Sequence, residues 1–442
     1  MSRAGTQDAT IFAPATAAGR AGVAVVRISG PGVRDALAAL SIALPAPRHA
    51  TRARFRDAAT GDMMDDGLVL FFPGPASFTG EDVAELHLHG SRAVLDAVAS
   101  TLSRVPGLRL AEPGEFTRRA FEHGKLDLTE AEAVADLVAA ETAAQRRQAL
   151  RQLEGELGRL YGSWALRLLR TIAHLEAAID FPEEGLPAEL DEAARRELEE
   201  LRAAMTAHLA DNRAGEILRD GVSIAIVGPP NAGKSSLLNA LARRDVAITS
   251  AVAGTTRDVI EVRLDLGGYP VILADTAGLR LARDEIEAEG VRRARVRAEA
   301  ADLRIVVFDA TRPEELVDLD ALADGAVVVA NKIDLGGSPG RGSGALPVSV
   351  LTGDGIEELL ARLTVIVRER FAAGDAPVLT RARHRAALEE CVASLGRALV
   401  AELPELVAED VRLAVRSLGR ITGRVDVEDV LDVIFREFCI GK

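Results

Sequence analysis

Residues 228–236 read Gly-Pro-Pro-Asn-Ala-Gly-Lys-Ser-Ser, the spacing of a loop whose backbone N–H groups cradle a polyphosphate. Asn231, Ala232, Gly233, Lys234, Ser235 and Ser236 are its candidate nucleotide-binding residues. Lys234 would reach the β and γ phosphates, and the Ser235 hydroxyl would ligate Mg²⁺. Asn231 has two readings: an ordinary turn residue, or an oxygen donor for a monovalent cation beside those phosphates. Four further boxes follow in order. Gly254-Thr255-Thr256-Arg257-Asp258 offers hydroxyls to Mg²⁺ and the γ-phosphate. In Asp275-Thr276-Ala277-Gly278 the aspartate can hold Mg²⁺ through water, and Gly278 lets its N–H come close to the γ-phosphate. Asp334 in Asn331-Lys332-Ile333-Asp334 can accept from guanine's ring N–H and exocyclic amine. Adenine lacks that donor pair and would leave the acceptor unpaired, so the box selects GTP over ATP. Lys332 would lie over the base, and Ser349-Val350-Leu351 would offer a backbone N–H to the guanine oxygen. The set implies GTP binding and hydrolysis.

One position departs from the common pattern. Many small GTPases place Gln directly after the Asp-x-x-Gly box to orient the attacking water. Here Leu279 stands there and cannot hydrogen-bond, so another group must orient the water. Asp284, Glu285, Glu287 and Glu289 are the acidic candidates just downstream, on what is otherwise an ordinary acidic helix face.

The elements around these boxes suit them. The run 222–227 is a buried-strand pattern and 237–241 continues as a helix, giving the strand, loop and helix that a phosphate loop requires. Residues 271–274, 304–308 and 325–330 are short apolar strands that each precede a box or its neighbour. The whole stretch from 221 to 370 alternates strand and helix, as a Ras-like parallel α/β domain does. Before it, residues 1–122 mix β-rich runs at 22–30 and 67–72 with a helix over 94–102, an α+β domain. Thr129 and Glu132 are spaced as a capping box and start a helical domain. Leu150, Leu153, Leu157, Leu160, Trp164 and Leu168 then form one near-heptad stripe that Phe181-Pro182 stops, and another helical stretch covers 187–219. Helices resume over 382–401 and 407–418. The expected architecture is a multidomain α/β chain. Its parts are an N-terminal domain 1–122, a helical domain 123–219, an inserted GTPase domain 220–376, and the rest of the helical domain, 377–442.

Composition excludes some classes. No apolar run reaches membrane-spanning length, and the two cysteines, Cys391 and Cys439, are too few for a disulfide framework; a cytoplasmic protein is expected. A formal net charge of −14 argues against wrapping nucleic acid in a diffuse field. RNA contact would have to be local: at Arg146, Arg147 and Arg151, at Arg292, Arg293 and Arg295, or at Arg381, Arg383 and Arg385. Each group reads equally as a solvated helix face with counter-charges.

Taken together, the boxes resemble the TrmE–Era group of bacterial GTPases. Three segments make the chain similar to one family within it, the MnmE (TrmE) tRNA modification GTPases. They are Phe116-Thr-Arg-Arg-Ala-Phe121, Lys125-Leu-Asp-Leu-Thr-Glu-Ala-Glu132 and the terminal Cys439-Ile-Gly-Lys442. The resemblance runs from Thr10 to Lys442.

It implies a homodimer that works with the FAD-containing partner MnmG (GidA) in a heterotetramer. Together they add an aminomethyl or carboxymethylaminomethyl group to C5 of the wobble uridine of certain tRNAs. It also implies an N-terminal domain that pairs subunits and binds a one-carbon donor, 5,10-methylenetetrahydrofolate or 5-formyltetrahydrofolate, at Arg27, Glu85, Lys125 and Lys442. GTPase domains would meet across K⁺, held by Asn231 and by the loop containing Ser250, Val252 and Thr255. Ser250 and Val252 replace the Thr and Ile common in relatives, and Ser still supplies an oxygen. Ser235 and Thr256 fall on the Mg²⁺ ligands, and Glu287 on the residue that orients water. Cys439 falls near the folate site, where it has a catalytic role or packs as a small hydrophobe. A ribosome-assembly or RNA-chaperone GTPase of the Era-like type is the rival from another class. It shares the five boxes but leaves the N-terminal domain and the terminal Cys-Ile-Gly-Lys unexplained. A stand-alone aminomethyltransferase would leave the GTPase boxes unexplained.

Overall fold

The computed structural model describes residues 9–180, 188–211, 213–244, 246–248, 261–275, 301–314, 325–337, 344–371, 377–425, 431, 434–435, 438 and 441. The chain divides into two compact units. One comprises Met1–Val138, Arg151–Ala177 and Ala408–Lys442, the other Ala139–Leu150 and Ala178–Val407.

In the first unit six strands, β1 (Thr10–Pro14), β2 (Ala21–Ser29), β3 (Thr51–Arg56), β4 (Met63–Phe72), β5 (Val83–Gly90) and β6 (Leu108–Leu110), form a sheet of order β3-β4-β5-β2-β1-β6. All pairs are antiparallel except β1 with β6. Because side chains alternate along a strand, Ala84, Leu86 and Leu88 of β5 join Val26 and Ile28 of β2 and Val69 and Phe71 of β4 on one face. Helices α1 (Val33–Ala39) and α2 (Arg92–Ser103) cover that face with Val33, Leu37, Val98 and Leu102. Glu85 and His87, one residue out of phase, stand on the other face with Arg27.

Helix α3 (Glu115–Glu122) precedes α4 (Leu128–Ala139). The start of α4 is capped two residues earlier than the Thr129–Glu132 spacing suggests. Asp127 Oδ1 accepts from the Glu130 N–H at 2.9 Å, and Glu130 Oε2 accepts from the Asp127 N–H at 2.7 Å, the reciprocal box. Thr129 and Glu132 are buried inside the helix instead. The heptad stripe is also divided. Gly155 (φ +81°) separates α5 (Ala143–Leu153) from α6 (Glu156–Asp180), and the buried stripe of α6 is Leu157, Tyr161, Trp164, Leu168, Ile172 and Leu175. Leu150 is exposed. Toward the C-terminus, Leu431, Ile434, Phe435 and Phe438 pack with Leu128 and Ala131 of α4. Gly441 (φ +98°) lies so close to Pro14 that a side chain there would strike the Pro14 carbonyl.

In the second unit the stretch 187–219 is two helices, α7 (Ala188–Leu209) and α8 (Ala214–Asp220). Beyond it, β7 (Val222–Val227), β8 (Glu261–Leu266), β9 (Tyr269–Asp275), β10 (Leu303–Asp309), β11 (Val327–Asn331) and β12 (Leu346–Val348) form a sheet of order β12-β11-β10-β7-β9-β8. Five strands are parallel, and β8, absent from the sequence reading, is an antiparallel edge strand paired with β9. The three central parallel strands, β7, β10 and β11, are buried along nearly their whole length, as strands covered on both faces must be. Leu237, Leu238 and Leu241 of α9 (Lys234–Ala242) and Ile356, Leu359, Leu363 and Val367 of α10 (Ile356–Phe371) pack on one side. These spacings of three and four residues give each helix a single apolar stripe.

The remaining α-helices among the described residues are α11 (Ala382–Ala398), in the second unit, and α12 (Pro404–Thr422). Arg385 on α11 donates to Glu216 (2.8 Å), Asp211 (2.6 Å) and the Leu209 carbonyl (2.8 Å), so this arginine braces the α7–α8 turn. That occupies one RNA-contact candidate with counter-charges; Arg146 and Arg147 are exposed, and Arg292, Arg293 and Arg295 lie outside the described residues. Cys391 is buried against Met205, and burial pushes its thiol up to about 12, which makes it an inert packing residue. Among the described residues no helix is long and apolar enough to cross a membrane.

Candidate functional site: a nucleotide cleft at strand ends

The connection from β7 through α9 to β8 and β9 builds one side of the sheet, and the chain then crosses to β10, β11 and β12 on the other. β7 is therefore the point where strand order reverses, where ligands of open α/β sheets bind beyond the C-terminal strand ends. The phosphate loop leaves β7 there. Gly228 (φ +153°) passes so close to β10 that a side chain would strike the Val307 carbonyl, and Gly233 (φ +98°) leaves room for the Asn331 amide. Lys234 opens α9; the residue is 8% exposed, and its ammonium donates to the carbonyls of Gly228 (2.9 Å) and Pro229 (2.7 Å). A cation is thus held over the loop mouth, in front of a helix N-terminus that already favours anions. Asn231 (φ +62°) on the loop and Ser235 and Ser236 in the first turn of α9 are exposed, and Ala232 is buried.

Asn331 ties this loop to the base-reading loops. Its Nδ2 donates to the Ala232 carbonyl at 2.8 Å, and its Oδ1 accepts from the Val350 N–H at 3.2 Å. Ser349, fully buried, donates from Oγ to Asp334 Oδ1 at 2.6 Å and accepts from the Thr352 N–H at 3.1 Å. Four expected residues, Asn331, Asp334, Ser349 and Val350, are thereby joined into one network with the phosphate loop. Lys332 (φ +65°) turns its ammonium to Asp309 Oδ2 at 2.7 Å. Burial raises the Asp309 carboxyl pKa, but hydrogen bonds from Lys332 and from the Thr311 hydroxyl and N–H outweigh it, bringing the value down to about 2. Asp309 escaped the sequence reading. Its one signal was an acid closing an apolar strand, as Asp275 closes β9.

Asp275 ends β9 in register with Ile226 of β7, at the same edge as the phosphate loop. Ser250, Val252, Thr255, Thr256, Thr276, Ala277, Gly278, Leu279 and the acidic group with Glu287 lie outside the described residues.

A second candidate site lies on the partly open face of the first sheet. Arg27 and Glu85 are directly opposed across β2 and β5, and Arg27 donates to Glu85 Oε1 from Nε (3.1 Å) and Nη2 (2.9 Å). The guanidinium also stands over the rings of Phe78 (5.5 Å) and Phe116 (5.8 Å). His87 Nε2 lies 3.8 Å from Glu85 Oε2. Lys125 donates to the Pro75 carbonyl at 3.0 Å, so the loop between β4 and β5 meets both Lys125 and Arg27. Phe78, Phe116 and His87 were missed as neighbours, since nothing local in sequence links them to residue 27. Cys439 and Lys442 lie outside the described residues, but Gly441 between them abuts Pro14, which pairs with Val26 beside Arg27. Arg27 is paired yet still partly exposed, and the aromatic ring beside it is 37% exposed at Phe78. An anion flanked by a flat ring system suits that pair, which fits a folate.

A doubly covered parallel sheet with a phosphate loop at its switch strand and an Asn-Lys-x-Asp box braced to that loop defines a P-loop GTPase. Two family models match the chain, that of the MnmE helical domain over residues 128–439 and that of the GTP-binding protein TrmE N-terminus over residues 10–125. A tRNA modification GTPase MnmE of Parvibaculum lavamentivorans is 58% identical over 449 aligned residues, 98% of this chain and 100% of the relative. One of Paramagnetospirillum magneticum is 60% identical over 440 residues, 98% and 99% of the two chains. A third, of Rhodospirillum rubrum, is 56% identical over 451 residues, 98% and 99%. The chain belongs to the MnmE family of tRNA modification GTPases.

Proposed function

We propose that this chain hydrolyses GTP to drive modification of the wobble uridine at C5 in certain tRNAs, with MnmG as partner and a tetrahydrofolate derivative as one-carbon donor. The Asn331 brace carries the GTP reading, because it binds phosphate loop and base-reading loop into one cleft. In that cleft Lys234 meets the β and γ phosphates, Asp334 accepts from the guanine edge, and the Val350 N–H faces the guanine oxygen. Ser235 and Thr256 hold Mg²⁺, with Asp275 behind them through water. Asn231, Ser250, Val252 and Thr255 surround K⁺, and Glu287 orients the attacking water. Bound metal ions supply the positive charge that offsets the charge developing on the γ-phosphate.

On the first sheet Arg27, Glu85, Lys125 and Lys442 bind 5,10-methylenetetrahydrofolate or 5-formyltetrahydrofolate, and Cys439 stands beside them. The proposed organisation is 1–122 for folate binding and dimerisation, 123–219 and 377–442 for the helical domain, and 220–376 for the GTPase. The assembly is a cytoplasmic homodimer that joins MnmG in a heterotetramer. GTP hydrolysis should run much faster in K⁺ than in Na⁺, with Asn231→Ala removing the difference; equal rates in the two salts would sink the potassium site. Mass analysis of wobble uridines from cells lacking the chain tests the tRNA role. Unchanged C5 substituents there would favour the assembly-factor alternative.

A further inference from the structure

Asp309 closes β10 opposite Asn331, the first residue of the base-reading box. It is only 8% exposed, and a carboxylate so placed is costly unless its oxygens are partnered. Both are. Oδ1 accepts from the N–H (2.9 Å) and hydroxyl (2.7 Å) of Thr311, and Oδ2 accepts from Lys332 Nζ (2.7 Å). The two Thr311 bonds orient the carboxylate through the oxygen that the lysine does not use. Lys332 in turn has φ +65°, a left-handed backbone that costs a residue with a side chain roughly 1–2 kcal/mol. Its stem is four flexible carbons, which would sample many rotamers if only the backbone were fixed. Backbone at one end and Asp309 at the other leave the stem little freedom.

We propose that Asp309 is a positioning residue for guanine recognition, fixing the Lys332 side chain at the base-reading loop so that its stem meets the base preformed. The proposal rests on the GTP reading above and adds to it a residue outside the five boxes. Loss of preorganisation at the base penalises every guanine nucleotide alike, whatever its phosphate number. Loss of contacts made only to the γ-phosphate would penalise GTP more than GDP.

The test uses the full chain and fluorescent GTP and GDP. Asp309→Asn should weaken both nucleotides by the same factor, about tenfold, raising KM while turnover at saturating GTP stays within about twofold. Thr311→Val keeps the carboxylate–ammonium pair and removes one orienting bond, so a smaller loss of about two- to threefold is expected. In a Lys332→Ala background, Asp309→Asn should cost nothing further. Unchanged affinity in Asp309→Asn, even with a lower melting temperature, would overturn the proposal, as would a loss confined to GTP or an additive loss in the double variant. Should Asp309→Asn not fold, Thr311→Val decides: wild-type affinity for both nucleotides rejects the role. A wild-type chain that binds neither nucleotide would instead reject the GTP reading itself.

Discussion

The two six-stranded sheets treat their faces in opposite ways, and their candidate sites follow from it. The parallel sheet is buried on both sides, so strand interiors such as Ile224, Ile226, Ile305 and Val307 carry only packing. Polar groups can enter only where strands end, at the loop after Val227, at Asp275, at Asp309 and at Asn331. The mostly antiparallel sheet is covered by α1 and α2 on one face, whereas its other face is covered in part, where Phe116 of α3 packs with Ile11 and Ala13 of β1. Every second residue of β2 and β5 therefore points elsewhere, and Arg27 meets Glu85 in mid-strand, 58 residues away in sequence. Chemistry at strand ends is written as short contiguous boxes. Chemistry on a sheet face is written one residue at a time.

The largest effect that would sharpen this contrast is expected from Lys234→Ala. The ammonium over the loop mouth is the chief cation on the phosphates, and its removal should lower GTP turnover by about a hundredfold or more. The readout is phosphate release. Turnover near wild type would mean that the strand-end cleft is not where GTP is hydrolysed.

The same contrast explains what could be read in advance. Gly233, Lys234 and Asp334 announce themselves because box and strand are adjacent, and the strands at 222–227 and 303–309 fall where the apolar runs put them. Arg27 and Glu85 carried no such signal and entered only through family resemblance. Local competition hid other features. Asp127, a stronger cap than Thr129, took the start of α4, and Gly155 broke a stripe whose apolar spacing continued across it. The edge strand β8 lay in the alternating Glu261-Val-Arg-Leu-Asp-Leu266, which pairs along its length with β9.

A smaller loss is expected from Asn331→Ala, which leaves the Ala232 carbonyl and the Val350 N–H without their side-chain partner. An orphaned buried group such as the Ala232 carbonyl costs about 1–3 kcal/mol, so GTP affinity measured by fluorescence titration should fall by roughly 10- to 100-fold. An unaltered affinity would show that the two halves of the cleft hold together without the brace.

The smallest effect concerns pH. The Asp309 carboxyl lies below its ordinary value of 3.8, at about 2, so its ion pair stabilises the fold fully above the ordinary value. That contribution is lost as pH falls through about 2. Asp309→Asn should flatten the acid limb of a stability–pH curve without changing its neutral plateau-to-acid direction. Identical acid limbs in the two proteins would remove the ion pair from the account.

The separation of the two sites is most directly tested by titrating full-length protein calorimetrically with 5-formyltetrahydrofolate. Wild type and Lys234→Ala should give the same binding heat, whereas Arg27→Ala, which removes the Glu85-paired cation from the partly open sheet face, should give none. Binding that survives in Arg27→Ala, or disappears in Lys234→Ala, would contradict the account.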